Sequence, residues 1–301
     1  MRTLLTLFIL MGCTSVWGQI DRYIQALEPS IMECEYDCTE QTDTLGTDVT
    51  TERVILRIGK TISQCYGYPM FYYDSLFYDP TGRKIWGEMM IGNIRKRDYA
   101  SLPIPRILHD YIYKNYPKGK MTSQVMLGTT NGIVNCYIEE EYGPQDWVLQ
   151  DSIRTIQGYA CQLATCHYHG RDYEAWFTPE IAVSEGPWKF NGLPGLILEV
   201  YDTKKHYQFK LVGLRKEAPD VCLFKFRDHG EKIDRIKYLR MEEKTENRGI
   251  TVKQKGSERA IRKNAQGQII AHDFHSCPEK FYHSVSCLGP SPSGTLVVRS
   301  V

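Results

Sequence analysis

The stretch RDYEAWFTPEIAVSEGPWKFNGLPGLILEV, Arg171 to Val200, decides how this chain is read. A strand ends near Phe177, a loop stiffened by Pro179, Pro187 and Pro194 follows, and a second strand starts at Leu196. Pro194 presets the φ that the second position of a type II turn needs, and Gly195 supplies the positive φ of the third. Working outward, Gln157 to Tyr168 and Asp172 to Phe177 flank a reversal at His169-Gly170-Arg171. Leu196 to Tyr201 and Tyr207 to Gly213 flank another at Asp202-Thr203-Lys204. Sequential hairpins of this kind make an antiparallel meander, and a twisted meander with one apolar face curls. The expected fold class is mainly β: a curved antiparallel meander, a bowl or half-barrel, with one or two short helices.

Several ordered blocks of this stretch also carry a resemblance. Gly192-Leu193-Pro194-Gly195-Leu196-Ile197 spells GLPGLI, and Gly170-Arg171, Ala175 to Ile181 and Gly186-Pro187-Trp188-Lys189-Phe190 precede it in order. The chain resembles the GLPGLI family of exported Bacteroidetes proteins over about residues 150 to 215. The resemblance implies a bent, mostly antiparallel sheet, similar to the bowl-shaped N-terminal domain of certain bacterial glycan-cleaving amidases. It implies no established activity.

The chain has 301 residues, long enough for one large β domain or two small ones. Its 37 Lys and Arg balance 36 Asp and Glu, so no basic excess points to a nucleic-acid partner. Twenty tyrosines, ten phenylalanines and five tryptophans favour strands with well-filled faces.

The first residues read as an export signal. Arg2 supplies a charge, Leu4 to Met11 an apolar run too short to span a bilayer, and Val16-Trp17-Gly18 a cleavage site before Gln19. In an alternative reading, Leu10-Met11-Gly12-Cys13 is a lipoprotein site that leaves Cys13 acylated. No later run suits a membrane helix, so no transmembrane span is expected. The domain plan is a signal over 1–18, a β domain over 19–228 and a C-terminal extension over 229–301.

Setting Cys13 aside leaves nine of the ten cysteines, an odd number that leaves a thiol free or paired between chains. Export predicts an oxidising compartment and disulfides. Close spacings suggest local bridges at Cys34 with Cys38, Cys161 with Cys166 and Cys277 with Cys287, although Cys161 and Cys166 would face opposite ways on one straight strand.

Elsewhere, Asp21 to Leu27 is a short amphipathic piece, and Arg53 to Gly59, Ser63 to Tyr68 and Pro69 to Tyr78 read as strands. Asp79-Pro80-Thr81-Gly82 reads as a turn. Ile104, Ile107, Leu108, Tyr111 and Ile112 share a helical face, which predicts a helix over Ile104 to Tyr116. Strands are expected at Met121 to Leu127, Gly132 to Glu139, Tyr142 to Leu149 and Val221 to Arg227. A helix is expected at Glu231 to Lys244 and a polar loop at Thr245 to Gln268.

Three groupings carry possible chemistry. Cys161, Cys166, His167 and His169 offer zinc or copper ligands, but alternation sends Cys166 and His167 to opposite faces. His272, His275, Cys277 and His283 are irregularly spaced in a polar setting. Both groupings read better as structural or surface residues than as metal sites, and no cofactor is expected. No Gly-x-Ser-x-Gly, His-Glu-x-x-His or papain-type context marks a catalytic residue.

The stretch reads instead as one that binds. Arg171, Trp176, Trp188 and Lys189 are the candidate ligand contacts, because Trp with Arg or Lys is typical of recognition hot spots. Gly192, Leu193, Pro194 and Gly195 form the structural motif. Trp176 and Arg171 also have a structural reading, filling the concave face and tying down the loop. The expected function is an exported binding or accessory module whose concave face takes a peptide, glycan, lipid or outer-membrane partner. A secreted hydrolase and a structural envelope protein are the alternatives.

Overall fold

The computed structural model describes residues 21–41, 49–98, 104–129, 132–227 and 230–243. The strands are β1 (Ile24–Glu28), β2 (Ser30–Gln41), β3 (Val49–Gly59), β4 (Ser63–Gly67), β5 (Tyr111–Lys114), β6 (Lys120–Thr129) and β7 (Gly132–Glu141). They continue with β8 (Val148–Ile156), β9 (Tyr159–Tyr168), β10 (Arg171–Thr178), β11 (Leu196–Asp202), β12 (Tyr207–Arg215), β13 (Val221–Phe224) and β14 (Glu231–Lys232). Helices α1 (Tyr68–Tyr78) and α2 (Pro80–Lys96) lie between β4 and β5, and α3 covers residues 235–243.

Twelve strands form one sheet in the order β14-β7-β6-β5-β4-β3-β2-β12-β11-β10-β9-β8. Two antiparallel meanders, β2 to β7 and β8 to β12, are stitched side by side where β2 pairs with β12. Among the described residues only β14 runs parallel to its neighbour, which makes the sheet mixed. The expected mainly β meander is what the chain adopts.

Connectivity forces the curl. β7 and β8 stand ten strand spacings apart, about 48 Å across a flat sheet. Only the segment 142–147 joins them, a reach of at most about 25 Å. An arc of that length over so short a chord bends through more than half a turn, yet the sheet does not close into a barrel.

Strand alternation then sorts side chains between an inner and an outer face. Inner residues include Cys34, Tyr36, Leu56, Cys65, Ile112, Ala175, Val200 and Phe209, all in the largest core cluster. On the outer face of β3 to β5, Ile55, Tyr66, Tyr111 and Tyr113 pack beneath α1 and the small β1–β13 sheet through Met70, Phe224 and Phe226. α3 and the residues just before it cover the inner face of β6 and β7 with Tyr238 and Ile233, which bury against Val125, Leu127, Cys136 and Ile138. The C-terminal helix expected at Glu231 to Lys244 is thus present over 235–243.

Three local expectations are corrected. Pro69 to Tyr78 is helical, not extended. The Asp79-Pro80 signal caps a second helix, because the Asp79 carboxylate accepts the Gly82 N–H and Pro80 enters the first helical turn. The segment predicted as a helix from Ile104 is irregular over 104–110, with a bend at 106–107, and becomes strand β5 at Tyr111. Glu52 accepts the N–H groups of Arg106, Ile107 and Leu108 at 2.8, 3.0 and 3.3 Å, and β5 is buried on both faces. Its apolar spacing reflects that two-sided burial rather than a helical stripe.

The cysteines are corrected as well. All seven described cysteines are free and buried. Cys34 and Cys38 both point inward four residues apart on β2, and Cys161 and Cys166 lie five apart on β9. Extended backbone separates such pairs by about 13 Å or more, well beyond disulfide reach. The expected bridge between Cys277 and Cys287, the signal, the polar loop and the histidines from His272 onward lie outside the described residues.

Candidate functional site

Between β10 and β11, residues 179–195 turn into the concavity and fill it. The Leu196 N–H donates to the Ile181 carbonyl, Gly192 N–H to Ser184 O, and Ile197 N–H to Glu185 O, while Glu185 and Asn191 form an isolated bridge. Beyond that bridge the tip Gly186 to Phe190 projects inward. Trp188, Lys189, Phe190 and Leu193 are exposed by no more than 2%. Trp188 packs against Tyr168 and Phe190 at ring distances of 5.9 and 5.2 Å.

The tip is held by a buried cation. Lys114 enters from β5, and its Nζ donates to Glu185 Oε2 at 2.9 Å, Gly186 O at 2.8 Å and Phe190 O at 2.7 Å. Ser63 Oγ donates to the other Glu185 oxygen at 2.9 Å. Every proton of the ammonium therefore has an acceptor, which offsets the cost of taking it out of water. Trp188 sits in the left-handed region at φ 53, and its N–H donates to Cys65 Sγ at 3.1 Å. β4 and β5 thus grip the loop, and Tyr36 Oη on β2 donates to Ile197 O at 2.7 Å where β11 leaves it.

A second cluster lies where the loop meets α3. Lys189 Nζ pairs with Glu140 Oε2 at 2.6 Å, and His169 Nε2 and Arg235 Nε stand 3.6 and 3.5 Å from Glu140 Oε1. Burial alone would raise the Glu140 carboxyl, but Lys189, His169 and Arg235 outweigh it and hold it below the ordinary range. Burial, with help from Lys189 and Arg235, pushes His169 down to about 4 against the pull of Glu140.

The glycine motif works by close approach. Gly195 N–H donates to Leu193 O at 2.8 Å, so Pro194 centres a three-residue γ-turn rather than the expected type II turn. A Cβ on Gly195 would strike the Thr178 carbonyl oxygen, and one on Gly192, whose φ is 92, would strike Pro144.

The four candidate ligand contacts do not converge. Trp188 and Lys189 line the filled interior. Trp176 lies on the outer face, its Nε1–H donating to Tyr201 Oη at 3.4 Å and its ring covered by the Arg154 guanidinium 4.1 Å from the centroid. Arg154 is itself ion-paired with Glu199. Arg171, at the start of β10, reaches Asp202 at the end of β11 at 3.0 Å and His206, just before β12, at 2.9 Å. The concave receptacle expected from the sequence is thus occupied by the loop itself. His167 pairs with Asp172 at 2.7 Å on the outer side while Cys166 is buried inward, so the Cys161-Cys166-His167-His169 grouping does not gather.

What remains open is an edge. β8 pairs with β9 alone among the described residues and exposes Val148, Leu149 and Ile153 by 60, 49 and 72%. Its pairing slips between Leu149 and Ile153, where Gln162 Nε2 donates to the Gln150 carbonyl. Neither this edge nor Lys114 stood out in sequence. A lysine inside Tyr111-Ile112-Tyr113-Lys114 was the available signal for the second.

The family described as "Protein of unknown function (Porph_ging)" matches residues 168–199, the end of β9 through most of β11. No curated protein matches the chain. Among solved structures, PNGF-II in space group P21 is similar with a TM-score of 0.44 and 14% identity, covering 72% of this chain and 34% of that one. PNGF-II in space group C2 gives a TM-score of 0.43 and 14% identity, covering 71% and 33%. The chain spans about a third of the length of these structures.

Proposed function

We propose that this chain is an exported, envelope-associated binding module of the GLPGLI type, which takes up an extended peptide segment of a partner protein along β8. The observation that carries this reading is the apolar exposure of β8 at the rim of a sheet whose concave side is already filled. An edge strand presents unpaired backbone N–H and C=O groups, and added strands draw affinity from that backbone pairing and specificity from alternate side chains. Val148 to Ile156 lacks the lysine and proline that often guard an edge, and its guards are limited to Asp151, Arg154 and the slip between Leu149 and Ile153. The leader at Leu4 to Met11 supports export, with Cys13 acylation as its alternative form. Against a thiol-dependent hydrolase stands the burial of the described cysteines, which raises Cys34 and Cys166 to about 12 and Cys65 to about 11, away from nucleophilic thiolate.

A photoreactive side chain at Ser152, exposed to envelope extract, tests the proposal. The expected result is a discrete cross-linked protein, lost when Val148→Lys and Ile153→Lys charge the edge. Cross-linking indifferent to those lysines, or turnover of peptide or glycan substrates by the purified chain, would overturn it.

A further inference from the structure

The α1–α2 pair exposes a surface that the sheet does not use. α1 reads YPMFYYDSLFY, six aromatic residues in eleven, yet buries only Met70 and Asp74. α2 reads PTGRKIWGEMMIGNIRK and buries only Gly82. A helix as aromatic as α1 normally sits inside a core. Here Tyr68, Phe77, Ile85 and Ile91 are 48, 41, 45 and 50% exposed, and Trp86 stands edge-on to Tyr73 and Phe77 at 5.7 and 6.4 Å.

Charge distinguishes the partner. Between Pro80 and Arg97 the chain carries Arg83, Lys84, Arg95, Lys96 and Arg97 against Glu88 alone. Cations in the last turn complement the helix dipole, but Arg83 and Lys84 lie near the N-terminus, where the dipole opposes them. Both are exposed; Arg83 donates to the Phe77 carbonyl at the end of α1, whereas Lys84 sits where the dipole gives it no support. Exposed aromatic and aliphatic side chains interspersed with cations suit a bilayer interface, where the rings enter the headgroup region and the cations meet lipid phosphates.

We propose that the α1–α2 surface rests on an anionic lipid headgroup layer, independently of the strand-addition site on β8. The test uses the full chain carrying Cys13→Ser, so that no acyl anchor contributes, with vesicles of phosphatidylcholine alone or with phosphatidylglycerol added. Binding is expected to rise with phosphatidylglycerol and to fall with salt. Lys84→Gln, Arg95→Gln and Lys96→Gln together are expected to weaken it by at least about tenfold, with an unchanged circular dichroism spectrum. Brominated lipid is expected to quench tryptophan emission in the parent chain and less in Trp86→Phe. Equal partition of the parent chain and the triple variant would overturn the proposal. So would quenching untouched by Trp86→Phe, or self-association through Ile85 and Ile91 that leaves no vesicle binding.

Discussion

Lys114 Nζ and Glu185 Oε2 lie 2.9 Å apart in the interior of the curl, one on β5 and the other in the loop that fills it, 71 residues later. Removing one partner of a buried pair leaves the other charge without compensation, at a cost of about 3 to 5 kcal/mol. Lys114→Met is therefore expected to lower the denaturant midpoint strongly, and Lys114→Met with Glu185→Leu to recover part of the loss. Urea melts of the singles and the double check this, and additive losses would show that the pair does not couple.

Gly195 and Thr178 make the second test. A methyl on Gly195 meets the Thr178 carbonyl, whereas Gly143 has nothing within 4 Å of its added Cβ. Gly195→Ala is expected to destabilise by at least about 2 kcal/mol, and Gly143→Ala to stay near wild type. Thermal melts of both decide it.

His169 sets an acid limb. Its folded pKa, about 4, lies below the ordinary 6.5 because of burial. The unfolded chain therefore binds more protons below pH 6.5, and stability falls as pH drops towards 4. The loss is on the order of 3 kcal/mol. Glu140, held low by its cations, adds a loss of the same sign. His169→Gln is expected to flatten stability between pH 6.5 and 4, as measured by denaturant titration at each pH. An unchanged slope would refute the assignment.

The buried thiols predict both reactivity and an alkaline limb. Burial raises Cys34 to about 12 and Cys65 to about 11, and puts Cys38 well above its ordinary 9. Stability on their account is complete below pH 9 and is lost as pH rises through the folded values. At pH 8, alkylation mapped by mass spectrometry should spare Cys34, Cys38 and Cys65 in the native protein and label them after unfolding. A peptide linking Cys34 to Cys38 would contradict the structure.

Glu52 anchors the segment that mimics a helix in sequence. Its carboxylate accepts three N–H groups, which an amide cannot do, since its NH2 would face donors. Glu52→Gln should cost about 1 to 3 kcal/mol, and hydrogen exchange at Arg106 to Leu108 should accelerate before the sheet opens. Protection equal to wild type would sink this reading.

Much of the sheet was legible because alternation and turn residues are local. β9 to β12 fall close to the expected strands, since each reversal carries its own chemistry at His169-Gly170 or Asp202-Thr203. The helix and strand assignments at 68–78 and 104–116 were not legible. In the first, aromatic density masked the helix spacing of Met70 and Asp74. In the second, β5 is buried on both faces and lacks the period of a half-exposed strand.

The amino-acid order by itself determined the strands β9 to β12, the reversals between them and the proline-stiffened loop. Tertiary structure decided that the loop fills the concavity, that Trp188 and Lys189 lie within it and Trp176 outside, and that the candidate contacts disperse. The physical reason is range. Periodicity reports a residue's neighbours along one element, whereas these outcomes depend on β2 pairing with β12 and on a six-residue connection drawing two distant edges together.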